Sequence, residues 1–330
     1  MCCRQINFLL KFFIANFEKK KDMIENIEEI RKKSQEYDAL ERSYQEGMAR
    51  YKNDEFESDE EMVAFFTELA QKGHAGAQYW LGEVYWDFSD DDEGRSEEEC
   101  NRCKEVSLEW IYKAIEQGYA DAMLLLGFWY EMGEIVEQDY EQMLYWYRKS
   151  VEHGCVEGLY NLGYLYEGKA YIEGEQIKPD YKKAAECYIR MFEQENALES
   201  GVIGPASYNL GMLYVKGRGV EADGNKAFYY FQKSAENDDF NGCCALGLCY
   251  EKGKFVEKDK KKAVEYYQKA LARFNATGIL PCEATIGLDR IKFGPFAKLV
   301  GFLRFFTATG TPEEHQAFAL MKGKDLFSED

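Results

Sequence analysis

Proline and histidine are scarce, 5 and 3 in 330 residues. So few prolines leave little material for rigid linkers, and so few imidazoles restrict histidine-based catalysis and metal binding. Basic residues are also in deficit, 41 Lys and Arg against 60 Asp and Glu. The resulting net charge of −19 sets the chain against nucleic-acid phosphates and anionic membrane surfaces. No apolar run suits stable membrane insertion: Phe296 to Ala308 carries Lys298 and Arg304 and is too short to span a bilayer. The apolar stretch from Phe8 to Ala15 is broken by Lys11 and no small-x-small cleavage site follows it. Acidic helical sequence opens at Met23, so residues 1–22 are expected to form a weakly ordered N-terminal extension. The 10 cysteines are irregularly spaced and too sparse for a disulfide scaffold, and they read as small core residues of a reducing compartment. What the chain does have is apolar bulk, 46% hydrophobic with 22 Phe, 24 Tyr and 5 Trp, which excludes a disordered polymer.

Internal repetition organises that bulk. Leu-Gly recurs at Gly82, Gly127, Gly163, Gly211 and Gly247, each with a tyrosine three residues on: Tyr85, Tyr130, Tyr166, Tyr214 and Tyr250. Five residues before each glycine stands a small residue, Ala77, Ala122, Gly158, Ala206 and Gly242. These offsets lie on one helical face, and a mid-helix glycine costs about 1 kcal/mol relative to alanine. Close packing of a neighbouring helix explains that cost. This helix, A, is followed by a second, B, opening at Asp139, Asp180, Asp223 and Asp259, where each carboxylate can cap free backbone N–H groups. Degenerate B copies fit the frame from Ser58 and from Cys103. Four B starts (Ser58, Cys103, Asp139, Asp223) lie 24 residues before the next glycine, and glycine-to-glycine steps are 45, 36, 48 and 36. A unit of 36 puts the surplus in an acidic loop, 86–102, and in stretches around 167–179 and 193–204.

These residues resemble the Sel-one-like repeats (SLR), relatives of the tetratricopeptide repeats. The fourth unit carries the likeness best: Ala206-Ser-Tyr-Asn-Leu-Gly211-Met-Leu-Tyr214, then Gly217-Arg-Gly-Val220, Asp223 and Lys226-Ala227. The resemblance implies an all-α fold, a right-handed α-α superhelix of five to six helix-pair repeats. It covers about 58–275, with an N-terminal helical cap over 23–57 and a degenerate repeat and C-terminal cap over 276–330, as a stack needs covered ends.

Signals for chemistry fail their context. Gly217-x-Gly219-x-x-Ala222 and Gly219-x4-Gly224-Asn225-Lys226 imitate nucleotide loops, but a helix precedes them where a strand is required. The run from Asp87 to Glu99 lacks the ligand pattern of a calcium loop, and Cys100-x-x-Cys103 has no second pair to complete a zinc site. His74 and His153 sit beside glycines that end B helices. No metal, cofactor or catalytic residue is therefore assigned.

The remaining candidate is a stripe on helix A at −3, +1 and +4 from the glycine. It reads Tyr79, Glu83, Trp86; Leu124, Phe128, Glu131; Tyr160, Tyr164, Glu167; Tyr208, Met212, Val215; Cys244, Leu248, Glu251. By the resemblance it faces a concave groove. Aromatic and methionine side chains edged by carboxylates suit a hydrophobic peptide with basic flanks. Tyr79, Trp86, Phe128, Tyr160, Tyr164, Tyr208 and Met212 are the expected partner contacts, and replacing Tyr160, Tyr164 and Tyr208 by alanine is expected to leave helicity and melting nearly intact. The expected function is a non-enzymatic, cytoplasmic scaffold or adaptor for a protein partner, of undetermined oligomeric state. The alternatives are a secreted or host-directed effector, with the sequon Asn275-Ala-Thr277, and a metal-dependent enzyme using Cys100, Cys103, His74 and the acidic loop.

Overall fold

The computed structural model describes residues 32–89, 94–169, 171–172, 175–176, 178–194, 197–277, 287–288 and 291–292. The expected extension over 1–22, part of the N-terminal cap and most of the C-terminal cap lie outside these residues. Helix α1 covers residues 32–52. It is followed by α2 (Asp59–Gln71), α3 (Ala75–Asp87), α4 (Glu97–Glu116), α5 (Ala120–Met132), α6 (Tyr140–Glu152) and α7 (Val156–Tyr166). Beyond them come α8 (Tyr181–Met191), α9 (Ile203–Lys216), α10 (Gly224–Glu236), α11 (Phe240–Lys252) and α12 (Lys260–Thr277). A two-residue hairpin, β1 (Tyr171–Ile172) against β2 (Glu175–Gln176), fills the insertion after α7 and is the exception to the all-α expectation among the described residues.

Helix starts follow from capping chemistry. The carboxylates of Asp139, Asp180, Asp223 and Asp259 each accept from backbone N–H groups of the turn that follows, at 2.8–3.2 Å. The backbone N–H of the same aspartates bonds the carbonyl of the helix-A tyrosine, Tyr130, Tyr166, Tyr214 or Tyr250, so one residue ends the turn and starts the helix. The B frame expected at Cys103 is displaced. Helix α4 begins at Glu97 behind a capping box, with Ser96 and Glu99 bonding each other's backbone N–H, and Glu97, Glu98 and Glu99 favour the positive helix start. Residues 97–102 of the expected acidic loop are therefore helical.

The helix-A glycines are seats for helix-B side chains. A Cβ on Gly127 would stand 2.6 Å from the Tyr147 ring, on Gly163 2.5 Å from Tyr188, on Gly211 2.7 Å from Phe231 and on Gly247 2.5 Å from Tyr267. At Gly82 the occupant is Ile111, at 2.5 Å. All five occupants are fully buried. A gain in helix propensity of about 1 kcal/mol from alanine is outweighed by displacing a buried ring, at ~1–3 kcal/mol.

By contacts the chain falls into two compact units, residues up to Leu126 and from Gly127 on. In the first, α2 packs on α3 and α3 on α4 around Phe66, Trp80 and Leu81, with Leu40, Tyr44 and Met48 of α1 packed against that core. In the second, α6 packs on α7, α7 on α8, α8 on α9, α9 on α10, α10 on α11 and α11 on α12.

Candidate functional site

The expected stripe survives only in part as an exposed surface. In the second unit Phe128, Tyr160, Tyr208 and Met212 are half-buried and Tyr164 is 38% exposed. Tyr160 lies 6.3 Å from both Tyr164 and the buried Tyr188, and Tyr208 lies 6.0 Å from Phe231, ring centre to ring centre. Cys244 and Leu248, expected on the same stripe, are buried core residues. Tyr160 and Tyr208 thus rest on core rings, and their truncation to alanine costs packing. The expectation of unchanged melting for the triple variant is revised accordingly; Tyr164 is the least constrained of the three.

The carboxylates at +4 have another task. The Tyr147 hydroxyl donates to Glu131 at 2.6 Å, Tyr188 to Glu167 at 2.7 Å and Tyr267 to Glu251 at 2.8 Å. Asparagine two residues before the next helix-A glycine completes the set: Asn161 bonds the Tyr147 hydroxyl, and Asn209 donates to that of Tyr188 at 3.2 Å. Lys169 closes the second of these into a ring, reaching Glu167 at 3.0 Å and the Asn209 carbonyl at 2.9 Å. Burial first, then the adjacent carboxylate, push the Tyr147 and Tyr188 phenols far above their ordinary range. Where helix B carries Phe231, the corresponding positions are Val215 and Ala245; where it carries Ile111, they are Trp86 and Leu125. Polar and apolar sets alternate as units because a buried hydroxyl without a partner costs ~1–3 kcal/mol. These glutamates are therefore interior acceptors, which removes them as ready contacts for a partner's basic flanks.

In the first unit Tyr79, Glu83 and Trp86 are half-buried. Tyr79 donates to Glu83 at 2.6 Å, and its ring lies 5.4 Å from that of Tyr119. Burial lifts the Glu83 carboxyl above its ordinary value, with Asp87 and Asp121 adding to the rise and the Tyr79 hydrogen bond opposing it.

The residues of the metal-enzyme alternative have structural work. His74 is 2% exposed and caps α3: its Nδ1 accepts from the Ala77 N–H at 3.0 Å, while Nε2 lies 2.9 Å from Glu41. Cys100 is buried on α4 and Cys103 half-buried. Among the described residues no group of three or more His, Cys, Asp or Glu could hold a metal ion. Sequence reasoning missed the Tyr-Glu-Asn sets and the His74–Glu41 pair. The former had a signal, since the tyrosine and its glutamate are present or absent together from repeat to repeat, with asparagine beside two of the three pairs.

Glycine seats, aspartate caps and a regular alternation of A and B helices define a protein of the helix-pair repeat class. The Sel1 repeat profile matches residues 104–119, 120–155, 156–196, 204–239 and 241–273, and the chain belongs to the Sel1 repeat family. The Sel1-repeat-containing protein YjcO of Escherichia coli (strain K12) is 29% identical over 178 residues, 54% of this chain and 68% of that one. A Sel1 repeat protein from Oxalobacter formigenes has a similar fold, with a TM-score of 0.58, 24% identity, and coverage of 86% of this chain and 97% of the other. A protective antigen of uropathogenic Escherichia coli strains, displaying an SLR fold, also has a TM-score of 0.58 at 24% identity, over 87% of this chain and 62% of its own. Sel1 repeat proteins generally act as protein-interaction scaffolds. Among the described residues no helix is long and apolar enough to cross a membrane.

Proposed function

We propose that this chain is a non-enzymatic scaffold in the cytoplasm that holds a partner polypeptide on the helix-A stripe of its second unit, through Tyr160, Tyr164, Tyr208, Met212 and Phe128. Tyr79 and Trp86 occupy the same stripe positions in the first unit. The observation that carries the reading is Tyr164, a large ring 38% exposed one residue past the glycine seat and so turned about 100° away from it round the helix. Its neighbours at −3 and +1 present rings and a methionine that are half open to solvent. Rigid, partly exposed tyrosines give a partner contact area at small entropic cost. His74, which the metal-enzyme reading would use, caps α3 and pairs with Glu41.

The test keeps the core filled. Tyr160→Leu and Tyr208→Leu retain apolar bulk against Tyr188 and Phe231, and Tyr164→Ala removes the exposed ring. This triple variant, compared with wild type as bait in lysate of the source organism, should keep its helical signal and lose a specific protein. Equal capture by both baits would move binding off the stripe.

A further inference from the structure

Lys149 with Glu152, Lys233 with Glu236 and Lys72 with Glu68 form ion pairs in which the acid is the more exposed member. Lys169 is the reverse. Its side chain is 35% exposed, while that of its partner Glu167, 3.0 Å away, is only 9% exposed. Among the described ion pairs no other buries its carboxylate and leaves its cation open. The local sequence accounts for this. Glu167 is the +4 carboxylate of its repeat and turns inward to the Tyr188 hydroxyl, whereas Lys169, just past the end of α7, has a stem long enough to keep its ammonium towards solvent. An ammonium has three N–H donors and no acceptor. Two are used, on Glu167 Oε1 and on Asn209 Oδ1 at 2.9 Å. Asn209 is held in that orientation, because its Nδ2 donates to the Tyr188 hydroxyl at 3.2 Å. The third donor has no acceptor among the described residues, and the Tyr164 ring lies beside it, 5.3 Å from Nζ.

That cation stands within the stripe of the second unit. Helix α7 carries Tyr160 and Tyr164, and Asn209 lies on α9 between Tyr208 and Met212, so Lys169 spans the two helices with stripe rings on either side. A group that meets its open donor has to be an acceptor. An anion gains most, because a charge-assisted hydrogen bond is about twice as strong as a neutral one. Rings on both sides call for polypeptide on both sides of the anion, which makes it a side chain and not a chain end. We propose that Lys169 receives the carboxylate of a glutamate or aspartate side chain of the partner polypeptide, with apolar residues flanking it on the tyrosines. The proposal rests on reading the helix-A stripe as a binding face and supplies the partner's chemistry at that face. It replaces the basic flanks expected from sequence with an acidic contact, in keeping with Glu167 being an interior acceptor.

The probes are the capped tripeptide N-acetyl-Phe-Glu-Phe-amide and its glutamine and lysine counterparts. They are titrated into the full chain labelled with ¹³C-tyrosine and ¹³C-lysine, in moderate salt to screen the net charge of −19. Saturable shifts of the Tyr164 and Lys169 signals are expected with the glutamate peptide, which should bind about tenfold more tightly than the glutamine peptide. Lys169→Gln should abolish that preference. Because it leaves the buried Glu167 carboxylate without its cation, the pair is also removed as a whole, by Glu167→Gln with Lys169→Met, and the same loss is expected. No saturable shift, equal affinity for the glutamate and glutamine peptides, tighter binding of the lysine peptide, or a preference that survives in the double variant would overturn the proposal. So would equal shifts at Tyr145 and Tyr229, whose lysines have exposed counter-ions. The two readings fail separately: loss of charge preference with stripe-dependent capture intact sinks this one alone.

Discussion

A single hydroxyl decides how helix B meets helix A. Tyr147, Tyr188 and Tyr267 each bring a hydroxyl into the interior and find a glutamate there, whereas Phe231 brings none and Val215 stands at the glutamate's position in its repeat. Phe231→Tyr should therefore cost ~1–3 kcal/mol, since the new hydroxyl is buried without an acceptor. Adding Val215→Glu should recover at least half of that loss in urea denaturation; no recovery would mean the pairing is incidental. Glu83 is the residue-scale cost of the first unit. Its folded carboxyl titrates above its ordinary value, so its contribution to stability is complete below the ordinary carboxyl range and is lost as pH rises through the folded value. Glu83→Gln should thus gain stability relative to wild type as pH rises above the ordinary carboxyl range, and a difference independent of pH would contradict the assignment. The glycine seats were legible in sequence, because a costly residue recurring at a fixed place demands a reason. The Tyr-Glu-Asn sets were not read out, because their partners lie 14 to 21 residues apart and meet only through the helix register.

At the scale of the element, the turn from A to B packs on the preceding helix B, and size is conserved across the contact. Gly219, at φ 72°, lies against the backbone of Tyr181 at the start of α8, where any Cβ would collide. One repeat later the third turn residue is Phe255, held at φ 65°, and the residue beneath its ring is Gly224. Large and small have exchanged places. A non-glycine residue in this left-handed region costs about 1–2 kcal/mol, offset here by ring packing over the glycine. Gly224→Tyr alone should destabilise by about 2 kcal/mol or more, and Phe255→Gly in the same chain should bring stability back to within about 1 kcal/mol. A double-mutant cycle by thermal melting checks this; additive losses would refute the exchange. Helix starts were legible at Asp139, Asp180, Asp223 and Asp259, where aspartate caps a B helix. The start of α4 was not, because a run of acids reads equally as a loop and as the first turn of a helix.

At the scale of the molecule, the repeat length and its insertions located the A helices at Gly82, Gly127, Gly163, Gly211 and Gly247 and the B helices opening at Asp139, Asp180, Asp223 and Asp259, but misplaced the start of α4. Composition could not say which half-exposed rings serve the core and which serve a surface. Burial separates them: Cys244 and Leu248 belong to the core, Tyr160 and Tyr208 lean on it, and Tyr164 stands away. Outward-facing rings also exist on the B helices, where Tyr145 and Tyr229 are 48% and 51% exposed with Lys149 and Lys233 near them. The scaffold reading distinguishes the two sets, assigning partner contact to helix A. Photo-crosslinking measures that difference directly, with p-benzoylphenylalanine placed at Tyr164 or, separately, at Tyr229, and irradiation in cells of the source organism. The account predicts a discrete crosslinked polypeptide from position 164 and none from position 229; crosslinks from 229 alone would place the partner on the B helices and contradict it.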